Sequence, residues 1–339
     1  MIGKKRKSNM TYEAFLELTK KNIKRFLPEP FQEGKVEIRE SLKNNSIRRH
    51  GLCVTNSQRN KLVPVLYLEN YYQELEQGKG IEDIWQEIAQ DYRNYQKEEV
   101  MINGTPIREW DYETIKGRLS VCVRNAEENR EFLKTHPHEI QEDLALIYCF
   151  DVEMNGGING TITVDHDKLK WLGVSEEQLK RDAWANMKHR EPPCFFALDE
   201  VMGQLYFGEA IDTEKKGLEH LDDVDPNAMM YVLTNSNQVN GAVYMCDKEV
   251  LSLIAEQLGA DLIVIPSSIH ETIILKDTQN MSMSELNAMV EAVNAEAVDP
   301  QERLGNSVYL FDRGIQKLEK AEEQVEEQSL EAGLSPVLA

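Results

Sequence analysis

Apolar positions in the first ninety-five residues follow helical spacing, then strand spacing, then helical spacing again. Residues 11–26 set apolar side chains among lysines and glutamates and end before Pro28, a pattern typical of an amphipathic helix. Pro64 interrupts the last alternating run and favours a sheet edge there, because proline cannot donate to a sheet ladder. The predicted order is a helix at 11–26, strands at 36–42, 52–55 and 62–68, and helices at 69–77 and 81–92.

The remaining pattern alternates strand-like and helix-like segments. Gly156 and Gly157 suit a hairpin turn. Ser175 and Ser282 suit helix N-caps, and a helix after Ser282 is predicted to carry Leu286, Met289, Val290 and Val293 on one face. Predicted strands lie at 119–123, 144–152, 160–164, 230–234, 242–245, 262–265, 272–275 and 308–311, and predicted helices at 126–134, after 175, at 250–258 and after 282.

This order of elements predicts an α+β or α/β protein, in which mixed sheets pack with amphipathic helices in two units. Little periodicity is found between the two units, and the sequence beyond Arg313 is rich in glutamate and lacks aromatic residues. The predicted divisions are a basic extension at 1–9, an α-β-β-β-α-α unit at 10–97, a linker at 98–109, a mixed domain at 110–313 and an acidic, helical or disordered tail at 314–339.

Charge narrows the choice of partner. The chain has 59 acidic against 38 basic residues and a net charge of -21, which argues against direct binding of a nucleic-acid backbone because that task needs a basic face. Residues 1–25 depart from this trend with eight Lys or Arg against two Glu. That stretch is predicted to be a solvated arm, with a tether to nucleic acid or an anionic membrane as the alternative.

Cysteine spacing and the N-terminus predict a cytoplasmic protein that does not interact with membranes. The five cysteines are far apart and form no CxxC pair, so they are interpreted as reduced thiols. No apolar segment follows the N-terminal charges, and no apolar run is long enough to span a bilayer. Neither a GxGxxG nor a GxxxxGK[ST] loop occurs, so no cofactor is predicted.

Three segments resemble a known family. They are Met10-Thr-Tyr-Glu-Ala-Phe, then Met230-Tyr-Val-Leu-Thr-Asn with Asn240-Gly-Ala, and finally Pro266-Ser-Ser-Ile-His-Glu with Asn306-Ser-Val-Tyr-Leu-Phe-Asp-Arg. Over residues 10–313 the chain resembles the domain-of-unknown-function family numbered 5688, which is common in anaerobic gut bacteria; the resemblance implies no activity. A more distant likeness, to the uncharacterised family numbered 1444, rests on Trp171-Leu-Gly-Val-Ser-Glu-Glu-Gln-Leu and Leu262-Ile-Val-Ile-Pro.

The first candidate site is the loop from Pro266 to Glu271, which follows a predicted apolar strand. His270 could act as a base, Ser267 or Ser268 as a nucleophile and Glu271 as the group that orients the base. Against catalysis, no GxSxG elbow is present, and neighbouring side chains on a strand point to opposite faces. Structural packing or turn capping is therefore the favoured interpretation of these residues.

Other candidates concern metal binding and thiol chemistry. His136 and His138, or Asp165 with His166, could supply metal ligands, but a metal site needs three or four and Asp165 also suits a helix N-cap. No metal is predicted. Cys246 precedes a predicted helix, whose N-terminus could lower the pKa of its thiol.

These observations leave three functional hypotheses open. The leading one is a non-catalytic cytoplasmic interaction or regulatory protein that binds a protein partner through its acidic surface. The second is a hydrolase or other small-molecule enzyme that uses the Pro266–Glu271 loop. The third is an acidic mimic of nucleic acid that acts on a DNA-binding protein, although the acidic residues are scattered along the chain rather than arranged in rows.

Overall fold

The computed structural model describes residues 10–55, 65–95, 100–102, 105–106, 109–154, 158–200, 202, 213, 216–278 and 282–321. Within these ranges the chain has a mixed α+β fold with three sheets, in which all recorded strand pairs are antiparallel. The predicted basic extension, Pro64 and the Gly156–Gly157 turn lie outside the described residues. None of the described helices is long and apolar enough to cross a membrane.

The helices and strands have the following bounds. The α-helices are α1 (Tyr12–Asn22), α2 (Glu29–Gln32), α3 (Leu68–Glu76), α4 (Ile81–Tyr95), α5 (Tyr112–Lys116), α6 (Arg130–Leu133), α7 (His166–Leu172), α8 (Glu176–Arg190), α9 (Lys248–Leu258) and α10 (Met283–Glu296). The strands are β1 (Val36–Leu42), β2 (Arg48–Val54), β3 (Val65–Tyr67), β4 (Val100–Ile102), β5 (Thr105–Pro106), β6 (Leu119–Asn125), β7 (His138–Gln141), β8 (Leu144–Met154), β9 (Ile158–Thr163), β10 (Pro193–Ala197), β11 (Tyr231–Asn235), β12 (Leu262–Pro266), β13 (Thr272–Lys276), β14 (Tyr309–Asp312) and β15 (Lys317–Lys320).

The first sheet, β1-β2-β3, forms a hydrophobic cluster with α1, α3 and α4. Two hydrogen bonds from buried aromatic side chains tie these elements together. Trp85 of α4 donates to the Thr19 hydroxyl of α1 at 3.0 Å, and Tyr92 of α4 donates to the Leu52 carbonyl of β2 at 2.9 Å. The helix that the sequence predicts at 11–26 is confirmed as α1 and a following 3₁₀ turn, with Thr11 as its N-cap.

The second sheet is built around the long strand β8. Strands β6 and β4 pair along one edge of β8, while β7 and β9 pair along the other. The third sheet has the order β10-β11-β13-β12-β14-β15. One large hydrophobic cluster contains residues of both sheets together with α8, α9 and the 3₁₀ segment Gly241–Cys246, so these two sheets share a core. The helix α10 covers part of the other face of the third sheet.

Three elements differ from their sequence-based predictions. Residues 242–245, predicted as a strand, are 3₁₀ helix and completely buried, and a short apolar run cannot distinguish a strand from a buried helical turn. The helix predicted at 126–134 is reduced to the single turn α6. Residues 317–320, which fall in the predicted acidic tail, pair with β14 as β15 and bury Leu318 in the shared core.

A network of asparagine side chains joins the N-terminal sheet to the rest of the chain. At the β1–β2 turn, the Asn45 side chain donates to the carbonyls of Pro300 and Arg303 at 2.7 and 2.8 Å. Asn45 also exchanges two 3.0 Å hydrogen bonds with Asn129. Asn45 has a left-handed backbone (φ 58°), which asparagine tolerates better than most residues. We call Asn45, Asn129 and Asn125 the asparagine joint; Asn125 donates to the Leu304 carbonyl at 3.1 Å.

Substitutions at Asn45 should separate the side-chain contribution of this joint from the backbone contribution. Asn45→Gly keeps access to the left-handed backbone and the backbone hydrogen bond to Asn129, but it removes the three side-chain hydrogen bonds. We therefore expect a loss of about 2 kcal/mol in the free energy of unfolding. Asn45→Ala should lose about 1 kcal/mol more because its Cβ disfavours that backbone. Urea denaturation measures both losses, and equal stability of the wild type and Asn45→Gly would show that the joint contributes nothing.

Candidate functional site

The predicted site at Pro266–Glu271 is the turn between β12 and β13. The backbone N–H groups of Ser267 and Ser268 donate to the Glu271 carbonyl at 3.2 and 3.3 Å. The Ser268 hydroxyl accepts from the backbone N–H of His270 at 3.0 Å, and the Ser267 hydroxyl lies 3.4 Å from a Glu271 carboxylate oxygen. These hydrogen bonds close the turn, and two of them involve the hydroxyls of Ser267 and Ser268, which are the candidate nucleophiles.

Both nitrogens of the His270 ring are engaged elsewhere. Nδ1 accepts from the backbone N–H of Asn240 at 3.2 Å, which leaves the ring hydrogen on Nε2, 3.4 Å from a Glu302 carboxylate oxygen. The half-buried imidazole therefore links the segment after β11 to the segment before β14. The structure brings His270 to Glu302 and does not pair its ring with Ser267, Ser268 or Glu271.

Asn240, whose N–H donates to the His270 ring, is positioned by the close packing of the next residue, Gly241, against neighbouring backbone atoms. A Cβ added to Gly241 would lie 2.4 Å from the Thr234 hydroxyl, 2.5 Å from the Asn235 nitrogen and 2.8 Å from the His270 carbonyl. Only glycine fits this position without displacing backbone atoms. The Thr234 hydroxyl also donates to the His270 carbonyl at 2.8 Å, so the end of β11 and the turn form one unit.

Sequence reasoning missed the residues that hold this unit together. The polar run from Asn235 to Gly241 comes at the end of an apolar strand and contains an Asn-Gly pair, which is typical of a tight turn. This pair is the sequence signal for the loop. The Asn235 side chain closes the run by bonding both the carbonyl and the N–H of Val239, at 2.8 and 3.2 Å. No sequence pattern indicates Glu302, because only the tertiary structure brings this residue close to His270.

The structure places the loop of His136 and His138 beside the loop of Asp165 and His166. The N–H of His166 donates at 3.0 Å to the carbonyl of Thr135, which is the residue before His136. The His136 ring nevertheless stacks on Phe132, with centroids 3.7 Å apart, and its Nδ1 bonds the Phe132 carbonyl at 2.9 Å. The exposed His138 uses its Nδ1 on the His136 carbonyl at 2.8 Å. These imidazoles therefore interact with their own loop.

Asp165 caps helix α7. Its carboxylate accepts from the backbone N–H of Lys168 at 2.7 Å and forms an ion pair with the same lysine's ammonium group. The neighbouring His166 lies 3.8 Å from a carboxylate oxygen of Glu176. Across the residues that the structure describes, no three His, Cys, Asp or Glu side chains are arranged to hold a metal ion.

Cys246 does not have the environment expected for a reactive thiol. Burial raises the pKa of Cys246 far above its ordinary value, and the negative charges of Glu139 and Asp247 act in the same direction. Asp247, rather than Cys246, is the N-cap of α9 and accepts from the N–H groups of Glu249 and Val250. The N-cap position at the start of α9 is therefore occupied by a carboxylate and not by the thiol.

A buried carboxyl group, Glu191, was not predicted from the sequence. It follows α8 directly, accepts from the Ser120 hydroxyl at 3.3 Å and lies 3.8 Å from Arg190. Arg190 forms its shorter ion pair with Asp151, at 3.0 Å. Burial, reinforced by the charge of Asp151, raises the pKa of Glu191 above its ordinary value. Arg190 therefore compensates the negative charge of Asp151 better than it compensates that of Glu191.

The outer face of α10 exposes two large apolar side chains. Met289 and Val293 are 58% and 49% exposed, whereas Leu286 and Val290 are buried, so the single apolar face predicted for this helix is divided. The orientation follows from two asparagines. Asn287 accepts from the Val308 N–H at 3.0 Å, and the buried Asn294 donates to the Gly305 carbonyl at 2.9 Å and to the Asn306 side chain at 2.8 Å.

Together, the described features define a mixed α+β protein in which loop asparagines and one histidine connect the sheets. Comparison with protein families gives a more specific result: the chain belongs to the family of unknown function DUF5688, whose model matches residues 12–313. The resemblance to family 5688 is thereby confirmed, while the distant likeness to family 1444 stays a prediction. No curated protein and no solved structure matches the chain.

The close approach at Gly241 predicts a strong effect of a single methyl group. Gly241→Ala must displace backbone atoms of Asn235 and His270, so we expect a loss of about 3 kcal/mol in the free energy of unfolding. Gly117→Ala is the matched control, because no atom lies within 4 Å of its added Cβ and its backbone is ordinary. Thermal and urea denaturation of both variants test this, and equal losses would contradict the assigned approach.

The pKa of His136 predicts a pH dependence of stability. Burial lowers this pKa below its ordinary value, so the unfolded chain binds this proton more readily than the folded chain. The corresponding stability is present in full above the ordinary histidine pKa, about 6.5, and is lost as the pH falls below it. Urea denaturation between about pH 5 and pH 8 should show a smaller loss of stability on acidification in His136→Gln than in the wild type. Equal losses in both proteins would refute the assignment.

Proposed function

We propose that this protein is a non-catalytic binding protein that docks a basic, amphipathic partner segment on the outer face of α10. The observation that carries the proposal is the exposure of Met289 and Val293 on a helix whose opposite face is already buried. A helix with apolar residues around most of its circumference is normally covered on both sides. The proposed partner supplies the second cover.

The docking surface follows the helical repeat. Glu285, Met289, Ala292 and Glu296 are spaced four, three and four residues apart, so they lie along one flank of α10, and Val293 adjoins them. All five are exposed. Burying an apolar side chain of this size contributes roughly 1.5–3 kcal/mol, so two anchors can support a specific, reversible complex. The flank presents a short apolar strip with a carboxylate at each end.

Charge selects the partner. Helix α10 carries the three glutamates Glu285, Glu291 and Glu296 and no lysine or arginine, within a chain of net charge -21. An acidic partner or a second copy of this chain would be repelled, whereas a segment with lysines or arginines beside its apolar residues would be attracted. Because these carboxylates are exposed, salt should weaken the attraction.

Other aspects of the proposal rest on separate observations. We assign Ser267, Ser268, His270 and Glu271 to closing a turn rather than to hydrolysis, in view of their hydrogen bonds within the turn and to the Asn240 backbone. We propose no direct contact with nucleic acid, and no described arrangement of carboxylates favours nucleic-acid mimicry. A bacterial cytoplasmic setting suits the five free cysteines. Residues 10–97 and 110–313 are proposed as separate units because a distinct hydrophobic cluster lies within the first.

A synthetic helical peptide with leucines on one face and lysines on the other provides a direct test. By fluorescence anisotropy it should bind the wild type, and the double variant Met289→Ser/Val293→Ser should bind at least about tenfold more weakly because the two anchors are lost. High salt should weaken binding to the wild type, and a peptide with glutamate in place of lysine should not bind.

Leu253→Ser is the matched control, because Leu253 is an exposed apolar residue on another helix, α9. It should bind the lysine peptide as the wild type does. A photo-crosslinking side chain at Ala292 extends the test to natural partners in cell extract, where it should capture a protein with a basic amphipathic segment. Equal peptide affinity in the wild type and the double variant would refute the docking surface.

A further inference from the structure

Two buried thiols meet on the outer side of the second sheet. Cys122 of β6 and Cys149 of β8 are 3% and 1% exposed, and their sulfur atoms are 2.9 Å apart. This is closer than van der Waals contact between two sulfurs. Cys149 pairs with Ser120 and Cys122 with Ile147 in the strand register, so the two cysteines are diagonal neighbours on one face.

We propose that Cys122 and Cys149 form an oxidisable dithiol, a modification site that closes into a reversible intrachain disulfide. The other cysteines have different surroundings: Cys53 bonds the Gly51 carbonyl, and Cys194 bonds the carbonyls of Pro192 and Thr213. The contact between two sulfurs therefore distinguishes this pair. Neighbouring strands hold the two sulfurs 2.9 Å apart, about 0.9 Å longer than a disulfide bond.

One hydrogen bond joins the two sulfurs, and either S–H can donate it. When Cys149 donates, the hydrogen bond lowers the pKa of Cys122 and raises that of Cys149. In that arrangement Cys122 is the attacking sulfur and Cys149 the resolving one, because the thiolate is the reactive form. Burial opposes ionisation of Cys122, so the reaction requires an oxidant that can enter the site.

A peroxide completes the balance of the reaction. The Cys122 thiolate attacks one peroxide oxygen, the O–O bond breaks, and the products are a sulfenic acid on Cys122 and hydroxide, which takes up the proton lost by Cys122 to become water. The Cys149 sulfur then attacks the Cys122 sulfur, the S–O bond breaks, and a second water leaves with the Cys149 proton. Two thiols are oxidised to one disulfide while one hydrogen peroxide is reduced to two waters.

The cover over the two thiols controls access. Ala126, Phe132 and Leu133 pack against the cysteines, and Phe132 and Leu133 belong to the single-turn helix α6. A helix this short is not stable by itself and depends on its contacts. Asn129, directly before α6, is held by Asn45 of the asparagine joint. Local opening of this segment would admit peroxide, so the joint acts as the gate.

Peptide mapping tests the disulfide. After treatment with hydrogen peroxide, the protein is denatured, its free thiols are alkylated and its peptides are analysed by mass spectrometry. We expect a cross-linked peptide pair containing Cys122 and Cys149, loss of two of the five alkylated cysteines and full reversal by dithiothreitol. Cys122→Ser and Cys149→Ser should each abolish the cross-link, whereas the buried Cys194→Ser should retain it.

Two outcomes would overturn the proposal. One is alkylation of all five cysteines after peroxide treatment, and the other is oxidation of Cys122 to the sulfinic acid without a cross-link. The gate has its own test: Asn45→Gly removes one of the two hydrogen bonds that hold Asn129. This variant should form the disulfide about tenfold faster than the wild type, through easier opening of the cover. An unchanged rate would refute the gate.

Discussion

One constraint determines how the sheets are joined: the backbone carbonyl groups of the segment between them must find hydrogen-bond donors. The segment 300–306 connects α10 to β14 without belonging to a helix or strand, so its carbonyls need partners from elsewhere. Asparagine side chains supply them: Asn45 bonds Pro300 and Arg303, Asn125 bonds Leu304, and Asn294 bonds Gly305. These asparagines come from three parts of the chain, so the same bonds that satisfy the segment also join those parts.

This requirement determines what the neighbouring elements expose. Asn287 and Asn294 must face the 305–308 segment, and α10 is therefore rotated so that Leu286 and Val290 enter the core while Met289 and Val293 point outward. The proposed docking surface is thus a consequence of the hydrogen bonds that Asn287 and Asn294 make. In the same way, Asn129 holds the start of the single-turn helix α6, which covers the two proposed redox cysteines. One network therefore bears on both proposed activities.

Local sequence signals worked where a single side chain acts on its own neighbourhood. Thr11, Ser175 and Ser282 cap their helices, and Gly259 ends α9 in the left-handed conformation. Such interactions span only a few residues, so spacing alone reveals them. The signals failed where burial from several sides determined conformation, as for the 3₁₀ segment Gly241–Cys246. The candidate site was predicted only in part, because His270 has a polar turn around it while its partner Glu302 lies thirty-two residues away.

The sequence by itself determined the mixed class of the fold, the positions of most helices and strands, and the net acidic charge, because these depend on composition and on contacts between residues close in the chain. The tertiary structure alone decided which face of α10 is exposed and that Cys122 touches Cys149 on the neighbouring strand. It also decided that the His270 ring accepts from the Asn240 N–H and lies 3.4 Å from Glu302, and does not pair with the serines beside it. Each of these depends on strand register or helix rotation. Both are set by contacts between residues far apart in the chain, which a local pattern does not record.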